Sequence, residues 1–274
     1  GFKGLVDLGN VAIKDLDTSK SIKFSDLDDL KGFTTTALKS ATIDGEGNAV
    51  TIDTNSATYG KFEKTDSLTV DGVKLTLTGS GDLVTKVVNN AATLADVKLE
   101  NEGVLAVTGQ NAVIGNVTAE SSKGYFEVEQ GGSLTVKGNV DVTDLAVGAD
   151  SSMTIDASKT DVPYTVKTGY LEVEQGGVFT AEAATVELTN DSTAGADSAG
   201  YIAGTAKVKS IKASNNGNLV VAGTLDVTDT LEMGTGTLSV GDADRSAGTL
   251  TVGTLKSGAV NVSADWVKNE GVST

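Results

Sequence analysis

The 274-residue sequence contains no cysteine and no histidine. The first absence removes disulfides, thiol nucleophiles and thiolate metal sites. The second removes Ser-His-Asp and Cys-His catalysis and His-ligated zinc. There is one proline, too few for domains strung on Pro-rich hinges. Arg245 is the only arginine, and 37 acidic against 21 basic residues give a formal net charge of −16 and a sequence pI near 4.3. A phosphate backbone needs a basic stripe, so nucleic acid is not expected as a partner. Aromatics are only 4% of the chain, so a core must come from Val, Leu and Ile, which suit strands. No run of about 18 apolar residues is present to cross a membrane as a helix. No signal peptide is visible, and a start at Gly1 rather than Met is expected of a piece of something longer. Any export signal or anchor would then lie outside it.

What the chain does have is glycine, 33 residues, well above the usual share of about 7%. It also has strict apolar–polar alternation in short bursts, the mark of strands. Examples are Leu134-Thr135-Val136, Val140-Asp141-Val142 and Leu238-Ser239-Val240, separated by Gly, Asn, Asp and Ser. Helical periodicity is missing except over Ser25 to Gly32, where Ser25 would cap the start and Gly32 the end.

These bursts repeat. An apolar-x-apolar pair is followed at a constant spacing by another: Val97/Leu99 then Leu105/Val107, Phe126/Val128 then Leu134/Val136, Leu171/Val173 then Phe179/Ala181, Ile211/Ala213 then Leu219/Val221. Glycine lies in every gap. The stretch GYFEVEQGGSLTV at Gly124 returns as GYLEVEQGGVFTA at Gly169. LTVKGNVDVTD from Leu134 returns as LVVAGTLDVTD from Leu219. The offsets from Phe126 to Leu171, from Leu171 to Ile211 and from Leu134 to Leu219 read as two, two and four units of about 20–22 residues. The step from Val97 to Phe126 reads as one unit plus a loop.

A coil of that length cannot bury its apolar side alone. Stacked about 4.8 Å apart, such coils hydrogen-bond to one another and their inward residues form columns. The expected fold is therefore all-β, a single-stranded parallel β-helix over 41–274, with 1–40 as an N-terminal cap or irregular first coils. Corner glycines are expected to supply positive φ. A tandem of Ig-like sandwiches is the rival, since the offset from Leu134 to Leu219 also approaches the length of one such domain. The constant pair spacing, scarce proline and lack of a core Trp oppose it.

SATIDGEGNAVTID, Ser40 to Asp53, resembles the first coil of pectate-lyase-like β-helix proteins. GGSLTVKGNVDVTD and GTLTVGTLKSGAVNVSADW resemble the right-handed β-helix passenger regions of bacterial autotransporter-like surface adhesins. The resemblance implies an extracellular or cell-surface rod used in adhesion, self-association or scaffolding. Its implied partners are a host or bacterial surface protein, a glycan, or another copy. The alternatives are a carbohydrate-active β-helix, lyase or hydrolase, or a surface-layer, self-assembling protein.

No catalytic set, cofactor motif or phosphate-binding GxxxxGK[ST] is present, and no enzyme activity is expected. The acidic groups Asp15/Asp17, Asp26/Asp28/Asp29, Asp44/Glu46 and Asp242/Asp244 match no calcium loop and read as solvated turns, with structural calcium as the alternative. Asp141, Thr143 and Asp144 recur as Asp226, Thr228 and Asp229 and read as structural, Asp141 outward and Asp144 in a turn. The sequons at Asn116, Asn190 and Asn261 carry no expectation in a bacterial protein. The candidate contact stripe is Tyr125, Glu127 and Glu129 with its copy Tyr170, Glu172 and Glu174. In a solenoid, outward residues of successive coils line up and can meet a protein or a glycan.

Overall fold

Period-two alternation gives each strand a buried and an outer side. The computed structural model describes side chains over 96–100, 102–119, 124–157, 163–189, 199–213, 217–241 and 248–256, with Thr76 and Leu94, and strand backbone elsewhere between Val11 and Asn269. Among the described residues, twenty-four strands form one sheet system whose pairings are parallel, and two more, Val84–Val88 and Ala91–Leu94, form an antiparallel hairpin. No helix occurs among the described residues, and the helix expected over 25–32 lies outside them. The chain is a parallel β-solenoid of about six turns where it is fully described.

Each turn has three sides. Face 1 stacks Asp96–Glu100 on Val117–Ala119, then on the first part of Val140–Val147 and of Thr165–Val173. Face 2 stacks Val104–Val107, Tyr125–Val128 and the second part of those two long strands, then Ser198–Ile202, Asn218–Val221 and Thr237–Val240. Face 3 stacks Ala112–Ile114, Ser133–Val136 and Ser152–Ile155 on the start of Val178–Leu188. From there on, the long strands Val178–Leu188, Thr205–Ala213, Thr224–Glu232 and Thr249–Lys256 each run along face 3 and turn onto face 1. Short strands Val11–Ala12 and Ile22–Lys23 extend the ladders of faces 1 and 2.

Inward residues stack on their own kind. Val97, Val117, Val140, Val166, Val186, Ile211 and Leu231 form one face-1 column, each at most 1% exposed. At two places a small residue follows a bulky one in its column: Phe179 stacks on Ala206, and Leu171 on Gly200. This keeps the narrow interior filled without strain. Coil length is not constant. Register partners on face 1 lie closer in sequence from Val97 to Val117 than from Val140 to Val166 or from Val186 to Ile211. The expected coil of about 20–22 residues is thus the short form, lengthened at the corners.

The register also explains the sequence repeats. The constant spacing between apolar pairs is one side plus one corner: Leu105 lies on face 2 after Val97 on face 1, and Leu134 on face 3 after Phe126 on face 2. The offset from Phe126 to Leu171 is two whole turns, since Phe126 pairs Leu145 and Leu145 pairs Leu171. The other offsets are not whole turns. Leu134 lies on face 3 but its copy Leu219 lies on face 2, so that copy falls one side short of four coils. The step from Val97 to Phe126 is one turn plus one side, not a turn plus a loop. The step from Leu171 to Ile211 likewise ends on another face, one side short of two turns.

The corners use glycine for two separate reasons. Gly131 and Gly176 have φ of 77° and 86°, as expected for tight turns closed by Gly132 N donating to Glu129 O (3.0 Å) and Gly177 N to Glu174 O (2.9 Å). Gly177 itself has no positive φ. A Cβ there would lie 2.7 Å from the carbonyl oxygen of Val147 in the preceding coil. Close stacking of backbone, rather than turn conformation, demands its bare Cα. The corner between faces 3 and 1 is tied by side-chain amides. Asn116 N and Nδ2 donate to Asp96 Oδ1, Asn139 N to Asn116 Oδ1 and Thr165 N to Asn139 Oδ1, at 2.7–2.9 Å. The amide of the Asn116 sequon is therefore part of the stack.

Two stability outcomes follow from this packing. Leu145→Ala, at a position with no exposed surface, is expected to cost about 2–5 kcal/mol in urea unfolding. Gly177→Ala is expected to lower the urea midpoint too, although it adds only one methyl, because the atom it meets is backbone.

Candidate functional site

The strand Tyr125–Val128 buries Phe126 and Val128 and turns Tyr125 and Glu127 outward on face 2. Its copy repeats this within Thr165–Val173, burying Leu171 and Val173. Tyr125 pairs with Asp144 and Asp144 with Tyr170, so the tyrosines share one outward column two coils apart. The next column runs Glu127, Ala146, Glu172, Tyr201, Val220. Glu129 and Glu174 occupy matching places at the corner, their amides donating to Val107 O and Val147 O at 3.0 and 2.9 Å. All six residues of the stripe thus lie on one side of the rod. Glu174 is exposed and the other five are half-buried.

The register adds two residues that the sequence copy does not contain. Asp144, expected in a turn, lies inside the strand Val140–Val147 between the two tyrosines. That strand passes from face 1 to face 2 at Thr143, which is buried and accepts a hydrogen bond from Gly124 N at 3.0 Å. Tyr201 stands directly after Glu172 in its column. Asp141 does point outward and meets Lys167 Nζ at 3.2 Å. In the copy that begins at Leu219 the motif sits at a different corner, where Thr228 and Asp229 are both exposed.

Glu172, Glu174, Gln175 and Tyr201 border a cleft of about 390 Å³ with Ala149, Ala203 and Ala222. Glu174 is held there, its Oε2 accepting from Ala149 N at 2.9 Å. Burial pushes the Glu172 carboxyl above its ordinary range, and the negative charges of Glu174 and Asp144 push it the same way. Among the described residues no lysine or arginine occupies an outward position on face 2 between Val104 and Val240. A cleft of this composition offers carboxylates to hydroxyl or amino donors and a phenol ring to an apolar or cationic face. Among the described residues, no group of three or more acidic side chains is placed to hold a metal ion. Asp15, Asp17, Asp26, Asp28, Asp29, Glu46, Asp242 and Asp244 lie outside the described residues, and Asp44 is described as backbone only.

The raised carboxyl has a testable consequence. A group whose folded pKa lies above its unfolded value favours folding at low pH and opposes it once both states ionise. Glu172→Gln is therefore expected to be more stable than the parent at pH 7. The difference should vanish as pH falls below the ordinary glutamate value of 4.5, measured by thermal melts across pH.

Compared with known proteins, the chain matches no family model, no curated sequence and no solved structure.

Proposed function

We propose that this chain is a non-enzymatic, extracellular β-solenoid that works by contact, as an adhesin or surface scaffold of a bacterium. The observation that supports this reading most is the outward side of face 2. Tyrosines and carboxylates there recur in register over successive coils, from Tyr125 to Tyr201. A solenoid offers such columns as a long, preformed surface whose ordering is already met by folding, which favours binding of extended partners. The partner class is a surface protein or glycan able to lie along those columns. The resemblance to autotransporter passenger regions points the same way, and so does an acidic surface that keeps a displayed rod soluble.

One observation favours a second reading, a carbohydrate-active solenoid. Glu172 is a carboxyl with a raised proton affinity beside a second carboxylate in a cleft, the pairing that acid–base hydrolysis uses. Turnover of polygalacturonate or alginate by the purified chain, lost in Glu172→Gln, would replace the contact reading with this one.

Display of the chain on a non-adherent cell tests the contact reading. Tyr170→Ala with Tyr201→Ala is expected to reduce attachment to the bound glycan or protein at least about tenfold, as loss of aromatic anchors does. The melting temperature should stay near the parent's, because neither side chain is in the core. Unchanged attachment in the double variant would move the contact away from face 2.

A further inference from the structure

Face 1 carries a second outward column, and its chemistry differs from that of face 2. Asp141 pairs in register with Lys167, Lys167 with Glu187, Glu187 with Lys212, Lys212 with Glu232 and Glu232 with Lys256. The charge alternates at every step over six successive coils. Asp141, Lys167, Lys212 and Lys256 are exposed, and the two glutamates are half-buried. Two residues before each member from Lys167 on stands a short hydroxyl side chain, Thr165, Thr185, Ser210, Thr230 or Thr254, and before Asp141 stands Asn139. Only the first step closes to an ion pair, Lys167 Nζ to Asp141 Oδ2 at 3.2 Å. Among the described residues, Glu187, Lys212, Glu232 and Lys256 make no ion pair with one another.

An alternating row with an even number of members has a specific symmetry property. Turned end for end by a two-fold axis, it meets its own reverse, and every position then faces the opposite sign. Asp141 would face Lys256, Lys167 would face Glu232, and Glu187 would face Lys212, each pair occurring twice. Two rods running the same way in register would instead set like on like. We propose that face 1 is a self-recognition surface, on which a second copy of this chain docks antiparallel about a two-fold axis between Glu187 and Lys212. The charge complementarity of the row with its own reverse carries the choice of occupant. Face 1 is also locally neutral along this row in a chain of net charge −16, so copies can approach there without the repulsion of the rest of the surface.

The size of the surface sets the strength. Five coil steps of about 4.8 Å and four or five residues of strand at about 3.3 Å give roughly 400 Å² per copy. That is about half of a standard interface of about 800 Å² per partner, so a single pair is weak. This inference deepens the self-association side of the contact reading and rests on it.

The test separates contacts between chains from contacts within one. Sedimentation equilibrium at about 0.1–1 mM should show a dimer for the parent chain, in line with a small interface. Glu187→Lys and Lys212→Glu are each expected to weaken it at least about tenfold. The first does so although it lowers the net negative charge, which sets the row apart from general repulsion. The combined Glu187→Lys, Lys212→Glu chain is expected to dimerise within about threefold of the parent, since opposite signs again face each other across the axis. Within each chain the same swap sets like charges beside Lys167 and Glu232, so its melting temperature should fall. A parent chain that stays monomeric at about 1 mM, or a combined variant no better than the single ones, overturns the proposal. Either result leaves attachment through face 2 untouched, and loss of that attachment leaves the dimer untouched.

Discussion

The hydrogen bonds between successive coils are the constraint on which everything else in this protein depends. Apart from the hairpin Val84–Val88/Ala91–Leu94, a strand here has no partner within its own coil. Its amides and carbonyls are satisfied only by the coil before and the coil after, in parallel register, as in Leu105 between Leu75 and Phe126. Register then decides every lateral neighbour. Because side chains alternate in and out, one ladder fixes both a buried column and an outward one. The valine column of face 1 and the charge column beside it are two readings of the same hydrogen bonds. So are the leucines and the tyrosines of face 2.

Much of this is legible in the amino-acid sequence. Alternation locates the strands, and the copy of Gly124 at Gly169 marks two full turns because faces 2 and 3 lengthen together over those two unequal coils. The other repeats read as whole units and are not. Each of the three sides solves the same physical problem with the same pattern, an apolar pair followed by a small-residue corner. The sequence therefore repeats by sides, and counting residues cannot tell a side from a turn. Glycine is half legible for a similar reason. A positive φ at Gly131 is a local matter that turn chemistry announces. The bare Cα of Gly177 answers to Val147 in the coil before, and nothing local signals it.

The site divides along the same line. Tyr125, Glu127 and their copies can be found because the sequence writes them twice. Tyr201 and Asp144 belong to the same surface but not to that copy. Their neighbours come from coils of unequal length: the step from Glu172 to Tyr201 is longer than the step from Glu127 to Ala146. The charge row of face 1 hides for this reason too. Its members are unevenly spaced along the chain, and the alternation of sign emerges only once the ladders align them.

The return of the Leu134 phrase at Leu219 shows what a three-sided screw permits. Because its sides are interchangeable, such a chain can be lengthened by a part-revolution and still close, and whatever follows is then rotated to a new bearing. The phrase keeps a buried apolar pair wherever it lands, Val140 and Val142 in one place and Leu225 and Val227 in the other. Its threonine does not keep its surroundings, buried at Thr143 and open at Thr228. Duplication out of phase thus carries an old core into the interior and a new face to the outside in one step. Surfaces as different as the acidic-aromatic and the charge-alternating faces can then diversify around an interior that hardly changes.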